Sequence, residues 1–143
     1  MPPQATPDVD VAAPQQDEWD YGAGAVRYAL DVVGAPYRFG GSTPDGFDCS
    51  GLVQYSYGLA GLELPRSVEG LLSGSRAISG SKRRPGDLLI FHLNGKPNSH
   101  VGLYIGEDNF VHAPSTGKFV STASLSNPYW RRRLASTRRP ISD

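Results

Sequence analysis

Cys49 is the residue in this sequence whose position most strongly suggests chemistry. It is the only cysteine among 143 residues, so no disulfide within the chain can occupy its sulfur. It stands where a glycine-rich loop, GGSTPDGFD, meets a run with helical spacing of apolar residues. The free N–H groups and dipole of a helix N-terminus favour negative charge, which predicts a lowered thiol pKa and donors for an oxyanion. A small buried apolar side chain is the alternative interpretation, and position alone leaves both open.

Two histidines are spaced so that one could serve the thiol as a base. The segment SHVGLYIGEDNFVHAP is typical of a β-hairpin that turns at GED. If residues 106–108 form a three-residue loop, Ile105 pairs with Asn109, and His112 lies diagonally across from His100 on the same face. Their Cα atoms would then be roughly 7–8 Å apart, close enough for one imidazole to act as base and the other to orient it. A loop one residue longer or shorter would place the rings on opposite faces.

The histidines also admit plainer interpretations. His100 and His112 could be ordinary strand residues, half-exposed on a sheet. A zinc site made of His92, His100 and His112 is disfavoured, because their separations match no compact ligand pattern and the chain has no second cysteine. His92 has no partner at a useful spacing, so the sequence predicts no metal site.

Two helices are predicted in the first half of the chain. The first covers 21–33, and its apolar positions should face the core: Val26, Ala29, Leu30 and Val33. The second begins at Cys49 or Ser50 and ends near Ala60, with Asp48 as its N-cap and Gly61 as its stop. Its predicted inner face comprises Leu52, Val53, Ser56 and Ala60. A short helix is also possible within PRSVEGLLSGSRAI.

The second half of the chain consists of short strand-like runs. They are LLIFHL, SHVGLYIG, NFVHAP and KFVSTA, followed by one more possible strand in YWRRRLASTRRPISD. Helices followed by strands predict an α+β domain, with the helices packed on one side of a central antiparallel sheet. We expect a flexible N-terminal tail or linker at 1–18, one domain at 19–136 and a basic C-terminal tail at 137–143.

Composition restricts the classes of function. Lys plus Arg and Asp plus Glu each number 14, and this formal net charge of zero disfavours a dedicated nucleic-acid binder. No apolar run approaches the roughly 20 residues that span a bilayer. The first residues lack the basic and apolar regions of a signal peptide, but a secreted protein without its leader would look the same. The compartment therefore stays open.

Six short motifs occur in an order that resembles one known family. PYRFGG, GFDCSGLVQYSY, LPRS, RPGDLLIF, HVGLYIG and NFVHA together resemble the NlpC/P60 cell-wall peptidases. The resemblance covers about residues 21–134, and the ending SLSNPYWRRRLASTRR is similar to that of the small Spr-like murein endopeptidase lipoproteins. Three departures stand out: Phe39 where the family often has Trp, no Gln in VEGLLSG, the helix after LPRS, and Gly51 where certain γ-D-glutamyl-specific members carry Arg. The last favours cross-link cleavage.

The resemblance implies a papain-like fold and a set of site residues. The helix that begins with the cysteine should pack against the sheet that carries the histidines. The implied catalytic residues are Cys49 as nucleophile, His100 as base and His112 as the residue that orients the base. The implied oxyanion and substrate residues are Tyr37, Asp48 and Ser50.

The resemblance also implies a substrate and a location. Family members hydrolyse peptides of bacterial peptidoglycan, at γ-D-glutamyl–diaminopimelate bonds or at D-alanyl–diaminopimelate cross-links. A periplasmic or cell-envelope protein is implied, with no cofactor and a possible membrane tether through an N-terminal lipid anchor. Apart from the resemblance, we expect no nucleic-acid partner and a monomer. A non-catalytic peptidoglycan-binding module is the alternative from another class. A cysteine acyl or amide transferase is a second alternative, which would need an apolar groove beside Cys49.

Overall fold

The computed structural model describes residues 20–141 and has an α+β fold, as predicted. Its main sheet is antiparallel and has six strands in the order β3-β8-β4-β5-β6-β7. The predicted tail at 1–18 lies outside the described residues. None of the helices within 20–141 is long and apolar enough to cross a membrane. The elements are α1 Tyr21–Asp31, β1 Ser42–Thr43, β2 Gly46–Phe47, α2 Cys49–Ala60, α3 Val68–Ser73, β3 Ser75–Ile78, β4 Leu88–Leu93, β5 Lys96–Gly106, β6 Asn109–His112, β7 Ser121–Ser124, α4 Pro128–Arg133 and β8 Leu134–Pro140.

Helix α1 packs against α2 through small residues rather than through its larger apolar side chains. Ala25 and Ala29 are fully buried, whereas Leu30 and Val33 are 40% and 47% exposed. The predicted inner face was therefore wrong at Leu30 and Val33. The physical reason is the close approach of the two helices, which a face of glycine and alanine permits.

Helix α2 begins and ends where the sequence predicts. The Asp48 carboxylate accepts a hydrogen bond from the Gly51 N–H at 2.7 Å, and Gly61 closes the helix with a φ of 110°. The predicted inner face is confirmed, since all four of its residues are buried: Leu52, Val53, Ser56 and Ala60. This face packs against β5, so the N-terminus of α2, with Cys49, is held at the sheet.

The hairpin between β5 and β6 has a different turn from the predicted one. Gly106 pairs with Asn109 across a two-residue turn, in which Glu107 and Asp108 have φ values of 54° and 65°. Positive φ at both central residues is the type I′ geometry that matches the twist of paired strands. The predicted three-residue loop, with Ile105 opposite Asn109, was therefore wrong.

A β-bulge compensates for the shorter turn. The register shifts between Tyr104 and Gly106, and beyond the shift Leu103 pairs with Val111. Continuing this register by one residue places His112 diagonally across from His100. The two imidazoles therefore share one face of the sheet, as predicted, although the turn that achieves it was not foreseen.

The two faces of the sheet are covered by different elements. Val101 and Leu103 lie in a cluster with α1 and α2, which we call the helix-side cluster. The opposite face carries a second cluster of Leu89, Phe91, Tyr104, Phe110 and Leu125, against which Trp130 of α4 packs. We call it the aromatic cluster. Helix α4 thus covers the face opposite α1 and α2, which the sequence analysis did not anticipate.

The prediction of a C-terminal tail at 137–143 was wrong for residues 137–140, which belong to strand β8. Residues 134–140 form a strand between β3 and β4, inside the sheet. The basic residues that suggested a surface tail are held by specific partners. The Arg139 guanidinium contacts the buried Asp87 carboxylate at 2.7 Å, and Arg138 donates to the Ser75 hydroxyl at 3.0 Å. A buried carboxylate must be paired, and Arg139 meets that requirement.

Candidate active site

Cys49 is the first residue of α2 and is half-buried. Burial is the main influence on its thiol, and it raises the pKa; the nearby Asp48 charge raises it further. Backbone N–H groups of Val101, Ser50 and Cys49 itself act in the opposite direction and are outweighed. The predicted lowering of the thiol pKa by the helix end is therefore not found. Cys49 is a neutral thiol near pH 7.

Asp48 holds the N-terminus of α2 and the loop before it. One carboxylate oxygen accepts from the Gly51 N–H at 2.7 Å and from the Ser50 hydroxyl at 3.4 Å. The other accepts from the Gly40 N–H at 3.1 Å and from the Arg66 guanidinium at 2.9 Å. Asp48 thus shapes the backbone around Cys49, and its carboxylate is committed to these partners.

Arg66 is a site residue that the sequence analysis did not single out. Its guanidinium donates to Asp48, to the Ser50 hydroxyl at 2.9 Å and to the Gly41 carbonyl at 3.1 Å. The available signal was the LPRS motif, in which Arg66 is the only charged side chain. The same carbonyl excludes a side chain at residue 51, where an added Cβ would lie 1.9 Å from the Gly41 oxygen.

Tyr37 lies beside this network. Burial raises the pKa of its hydroxyl; a Cys49 thiolate, which forms only at high pH, and the Asp48 carboxylate raise it further, and Arg66 lowers it. The phenol therefore lies close enough to Cys49, Asp48 and Arg66 to interact with their charges. The Tyr37 N–H donates to the Lys118 carbonyl at 2.9 Å, which anchors the backbone on this side of Cys49.

His100 and His112 form a buried hydrogen-bonded pair. The Nε2 atom of His100 lies 2.8 Å from the Nδ1 atom of His112, and the residues are 3% and 2% exposed. Burial lowers the pKa of His100 to about 3, with a further lowering by His112, and burial lowers the pKa of His112 to about 4. Both rings are therefore neutral near pH 7, and one proton lies in the hydrogen bond between them.

Trp130 encloses this pair from α4. Its indole stacks on His100 with centroids 5.9 Å apart, and it meets His112 edge-on at 4.9 Å. Phe91 and Phe110 contact the imidazoles from the sheet, at 5.9 Å from His100 and 4.9 Å from His112. Nothing in the sequence marked Trp130 as a residue of the site. The structure instead places it against both imidazoles, where it helps to exclude water from them.

The thiol and the imidazole pair both lie beside the middle of β5. The thiol interacts with the Val101 backbone, one residue after His100. Cys49 packs against the helix-side cluster, whereas His100 contacts the aromatic cluster. Within residues 20–141 no hydrogen bond joins the Cys49 sulfur to His100. The site thus brings Cys49 and His100 to neighbouring positions along β5 without a preformed thiol–imidazole hydrogen bond.

The third histidine lies apart from the pair. His92 is exposed, and its Nδ1 accepts from the Asn98 N–H at 2.9 Å. In the described part of the chain, no group of three or more His, Cys, Asp and Glu side chains is arranged to hold a metal ion.

A groove of about 330 Å³ lies in the loop before α2. The Phe39 side chain in its lining is 90% exposed. Arg38, Ser42, Thr43 and three glycines make up the rest of its lining. This wall is mostly backbone and polar groups, which does not match the apolar groove that a lipid acyl transferase would need.

Comparison with known proteins identifies a family. Residues 34–139 match the NlpC/P60 family. The chain is 45% identical over 117 residues to the Murein DD-endopeptidase MepS/Murein LD-carboxypeptidase of Escherichia coli, covering 81% of this chain and 61% of that protein. It is 39% identical over 123 residues to Murein DD-endopeptidase MepH of Escherichia coli, covering 82% of this chain and 45% of that protein.

A solved structure agrees with the sequence comparisons. A crystal structure described as similar to lipoprotein, NLP/P60 family, from Staphylococcus aureus, superimposes with a TM-score of 0.76 at 34% identity. The match covers 92% of this chain and 44% of that one. The predicted resemblance is confirmed: the chain belongs to the NlpC/P60 family.

Proposed function

We propose that this protein is a cysteine endopeptidase that hydrolyses peptide bonds in peptidoglycan, with Cys49 as the nucleophile. The observation that carries the proposal is the buried His100–His112 pair, because Val101, the residue after His100 in β5, contacts the Cys49 thiol through its backbone. Two similar proteins are named murein endopeptidases, which supports the substrate. Because the chain spans 61% and 45% of their lengths, activity and substrate are proposed for this chain rather than transferred.

The resting site is a neutral thiol beside a neutral imidazole. The pKa of Cys49 is raised and that of His100 is lowered, so a preformed thiolate–imidazolium pair is not the ground state. We propose that His100 removes the thiol proton as the sulfur attacks the scissile carbonyl. Catalytic hydrogen bonds often tighten only in the substrate complex, and bound substrate would also exclude water from the thiol.

The tautomer of the pair sets which nitrogen acts as the base. When the proton lies on Nε2 of His100, that N–H donates to Nδ1 of His112 and leaves Nδ1 of His100 with a free lone pair. His112 thereby fixes the orientation of His100 and stabilises the imidazolium that forms during attack. Trp130 and Phe91 restrict rotation of the ring.

The remaining steps conserve protons and charge. The oxyanion of the tetrahedral intermediate accepts hydrogen bonds from the Cys49 backbone N–H and the Tyr37 hydroxyl. The His100 imidazolium then protonates the leaving amine, which leaves a thioester on Cys49. Water attacks the thioester with His100 again as base, and the acid product and the free thiol are released.

We propose cross-links between stem peptides as the bond class. The name DD-endopeptidase in both relatives favours D-alanyl–diaminopimelate bonds over γ-D-glutamyl–diaminopimelate bonds. The groove beside Gly41 is the proposed entry for the peptide, and Asp48 holds its floor through the Gly40 N–H. A substrate of this kind places the protein in the periplasm or cell envelope.

Digestion of purified sacculi tests the proposal. Wild-type protein should release cross-link fragments that mass analysis identifies by composition, and Cys49→Ala should release none. His112→Ala should retain partial activity, because His112 orients the base but does not itself transfer the proton, whereas His100→Ala should lose nearly all of it. Equal activity of wild type and Cys49→Ala would refute the assignment of the nucleophile.

A non-catalytic peptidoglycan-binding module is the second candidate. The absence of a hydrogen bond between Cys49 and His100 within residues 20–141, together with the raised thiol pKa, is the observation that favours it. Thiol alkylation would not separate the two, because the resting thiol is neutral in both. Sacculus binding without any release of fragments would identify the binding module.

A further inference from the structure

A second cavity lies outside the proposed active site. It has a volume of about 440 Å³ and lies between the tip of the β4–β5 hairpin and α4. Its lining residues are His92, Asn94, Gly95, Tyr129, Arg132 and Arg133. A cavity of this size accommodates a ligand fragment of one or two amino-acid residues rather than a whole polymer.

The two segments that line the cavity carry positive charge and no carboxylates. Segments 92–98 and 128–133 contain Lys96 and three consecutive arginines but no Asp or Glu, although the chain as a whole has zero net charge. Arg132 has no hydrogen-bond or ion-pair partner among the described residues. Concentration of cations in one wall of a neutral protein favours an anionic ligand.

The lining groups are oriented as hydrogen-bond donors. The Nδ1 atom of His92 accepts from the Asn98 N–H, so the proton of the neutral ring lies on Nε2, which is left to donate. The Arg133 guanidinium lies 3.7 Å from the centroid of the Tyr129 ring and donates one hydrogen bond to the Tyr129 carbonyl, which holds it in place. Its other donors remain available. Two guanidiniums, each with a planar fork of N–H groups, match the geometry of carboxylate oxygens.

The walls of the cavity belong to the elements that hold the histidine pair. Phe91 pairs with His100 across the sheet, and the next residue, His92, lines the cavity. On the other wall, the Tyr129 ring contacts the Trp130 ring at 4.9 Å, and Trp130 stacks on His100. The cavity is therefore one residue along β4 from the partner of His100, and one residue along α4 from the indole that stacks on His100.

We propose that this cavity is an anion-binding subsite that receives a carboxylate of a peptidoglycan stem peptide, at a distance from the bond being cleaved. The inference rests on the proposed function for the identity of the peptide. Stem peptides carry free carboxylates on glutamyl, diaminopimelyl and terminal alanyl residues, which supply the required charge. The subsite would select acidic strands and hold them while the reacting bond enters through the groove beside Gly41.

Residue-specific NMR titration of the Cys49→Ala protein tests the subsite without any need for turnover. The probe is the stem tetrapeptide with free carboxylates, and the control probe is the same peptide with its carboxyl groups amidated. We expect saturable shifts of the backbone amides of Asn94, Gly95 and Arg132, and their loss with the amidated peptide. Arg132→Gln and Arg133→Gln should each weaken this binding by about tenfold.

Arg131→Gln is the matched control. Arg131 lies in the same helical turn, but its guanidinium donates to the Ser126 carbonyl and does not line the cavity. Its replacement should leave the affinity unchanged. An equal loss in Arg131→Gln would mean that general charge, not the cavity, binds the peptide, and would overturn the proposal.

Two further outcomes would overturn it. Absence of saturable shifts around the cavity would remove the subsite. Tighter binding of inorganic phosphate than of the tetrapeptide would show that the cavity prefers phosphate-bearing ligands to peptide carboxylates. Since Cys49→Ala abolishes turnover by design, failure of sacculus digestion by the wild type would bear on the proposed function alone.

Discussion

Acid should destabilise this protein through its buried histidine pair. The unfolded rings have an ordinary pKa of 6.5, whereas burial lowers the folded pKa of His100 to about 3 and that of His112 to about 4. As the pH falls below 6.5, the unfolded chain binds protons that the folded chain does not. The free energy of unfolding therefore falls progressively from about pH 6.5 down to the folded pKa values. The buried pair leaves the stability undiminished only above pH 6.5.

The size of the loss at a given pH follows from how far that pH lies below the unfolded pKa, as long as the folded rings stay neutral. At pH 5 each ring lies about 1.5 units below its unfolded pKa, which costs about 2 kcal/mol per ring at 1.36 kcal/mol per unit. For the pair, about 4 kcal/mol should be lost between pH 7 and pH 5. That is a large fraction of the 5–15 kcal/mol of unfolding free energy that is typical of a domain.

Urea unfolding at pH 7, 6 and 5, followed by tryptophan fluorescence, measures the effect. The double variant His100→Gln/His112→Gln removes both titrating rings and should lose about 4 kcal/mol less than wild type over this range. Other titrating groups contribute equally to both proteins, so the difference isolates the pair. His92→Gln is the control, since an exposed side chain is hydrated in both folded and unfolded states.

One result would refute this reasoning. If wild type and double variant lost the same stability between pH 7 and pH 5, the two rings would not be neutral and buried together. The proposed general-base role of His100 would then lose its physical basis.

Three further predictions concern the structure around Cys49. Gly51→Ala should lower the unfolding free energy, measured by urea unfolding, by on the order of 3 kcal/mol, because the added Cβ would lie 1.9 Å from the Gly41 oxygen. Gly58→Ala, in the same helix but with open space around its Cβ, should instead raise it by about 0.5–1 kcal/mol. Arg66→Met should lower the urea midpoint by an amount corresponding to about 1 kcal/mol, since the Asp48 pair is part-exposed, and should reduce kcat; unchanged kcat would remove Arg66 from the site. Tyr37→Phe should lower kcat by about 10- to 100-fold with little change in KM, and a rise in KM alone would assign Tyr37 to substrate binding instead.

The histidine hairpin illustrates both the reach and the limit of sequence reasoning. Alternation along SHVGLYIG and NFVHAP was enough to predict two strands and the shared face of His100 and His112. The loop length was wrong, because a two-residue turn and a bulge at Ile105 sum to the same register as a three-residue loop. A pattern of alternating residues constrains which face a side chain takes, but several turn geometries satisfy it.

The thiol shows a different limit. Sequence reasoning used the helix N-terminus, which acts locally and favours the thiolate. Burial by the helix-side cluster acts in the opposite direction and is stronger. Burial depends on how α2 and β5 pack, so no inspection of the neighbours of Cys49 in the chain could have supplied it.

Local interactions explain what the sequence by itself determined: the caps Asp48 and Gly61 of α2, the position of Cys49 at its first turn, and the family motifs in their order. The caps and the position of Cys49 depend on hydrogen bonds or φ values within about four residues, which the chain encodes directly. The motifs are a property of the sequence itself. Only the tertiary structure decided the partners of Arg66, the packing of Trp130 on the imidazoles and the place of β8 within the sheet. Those contacts join residues far apart in the chain, and their energies arise from burial and pairing that exist only once the elements have assembled.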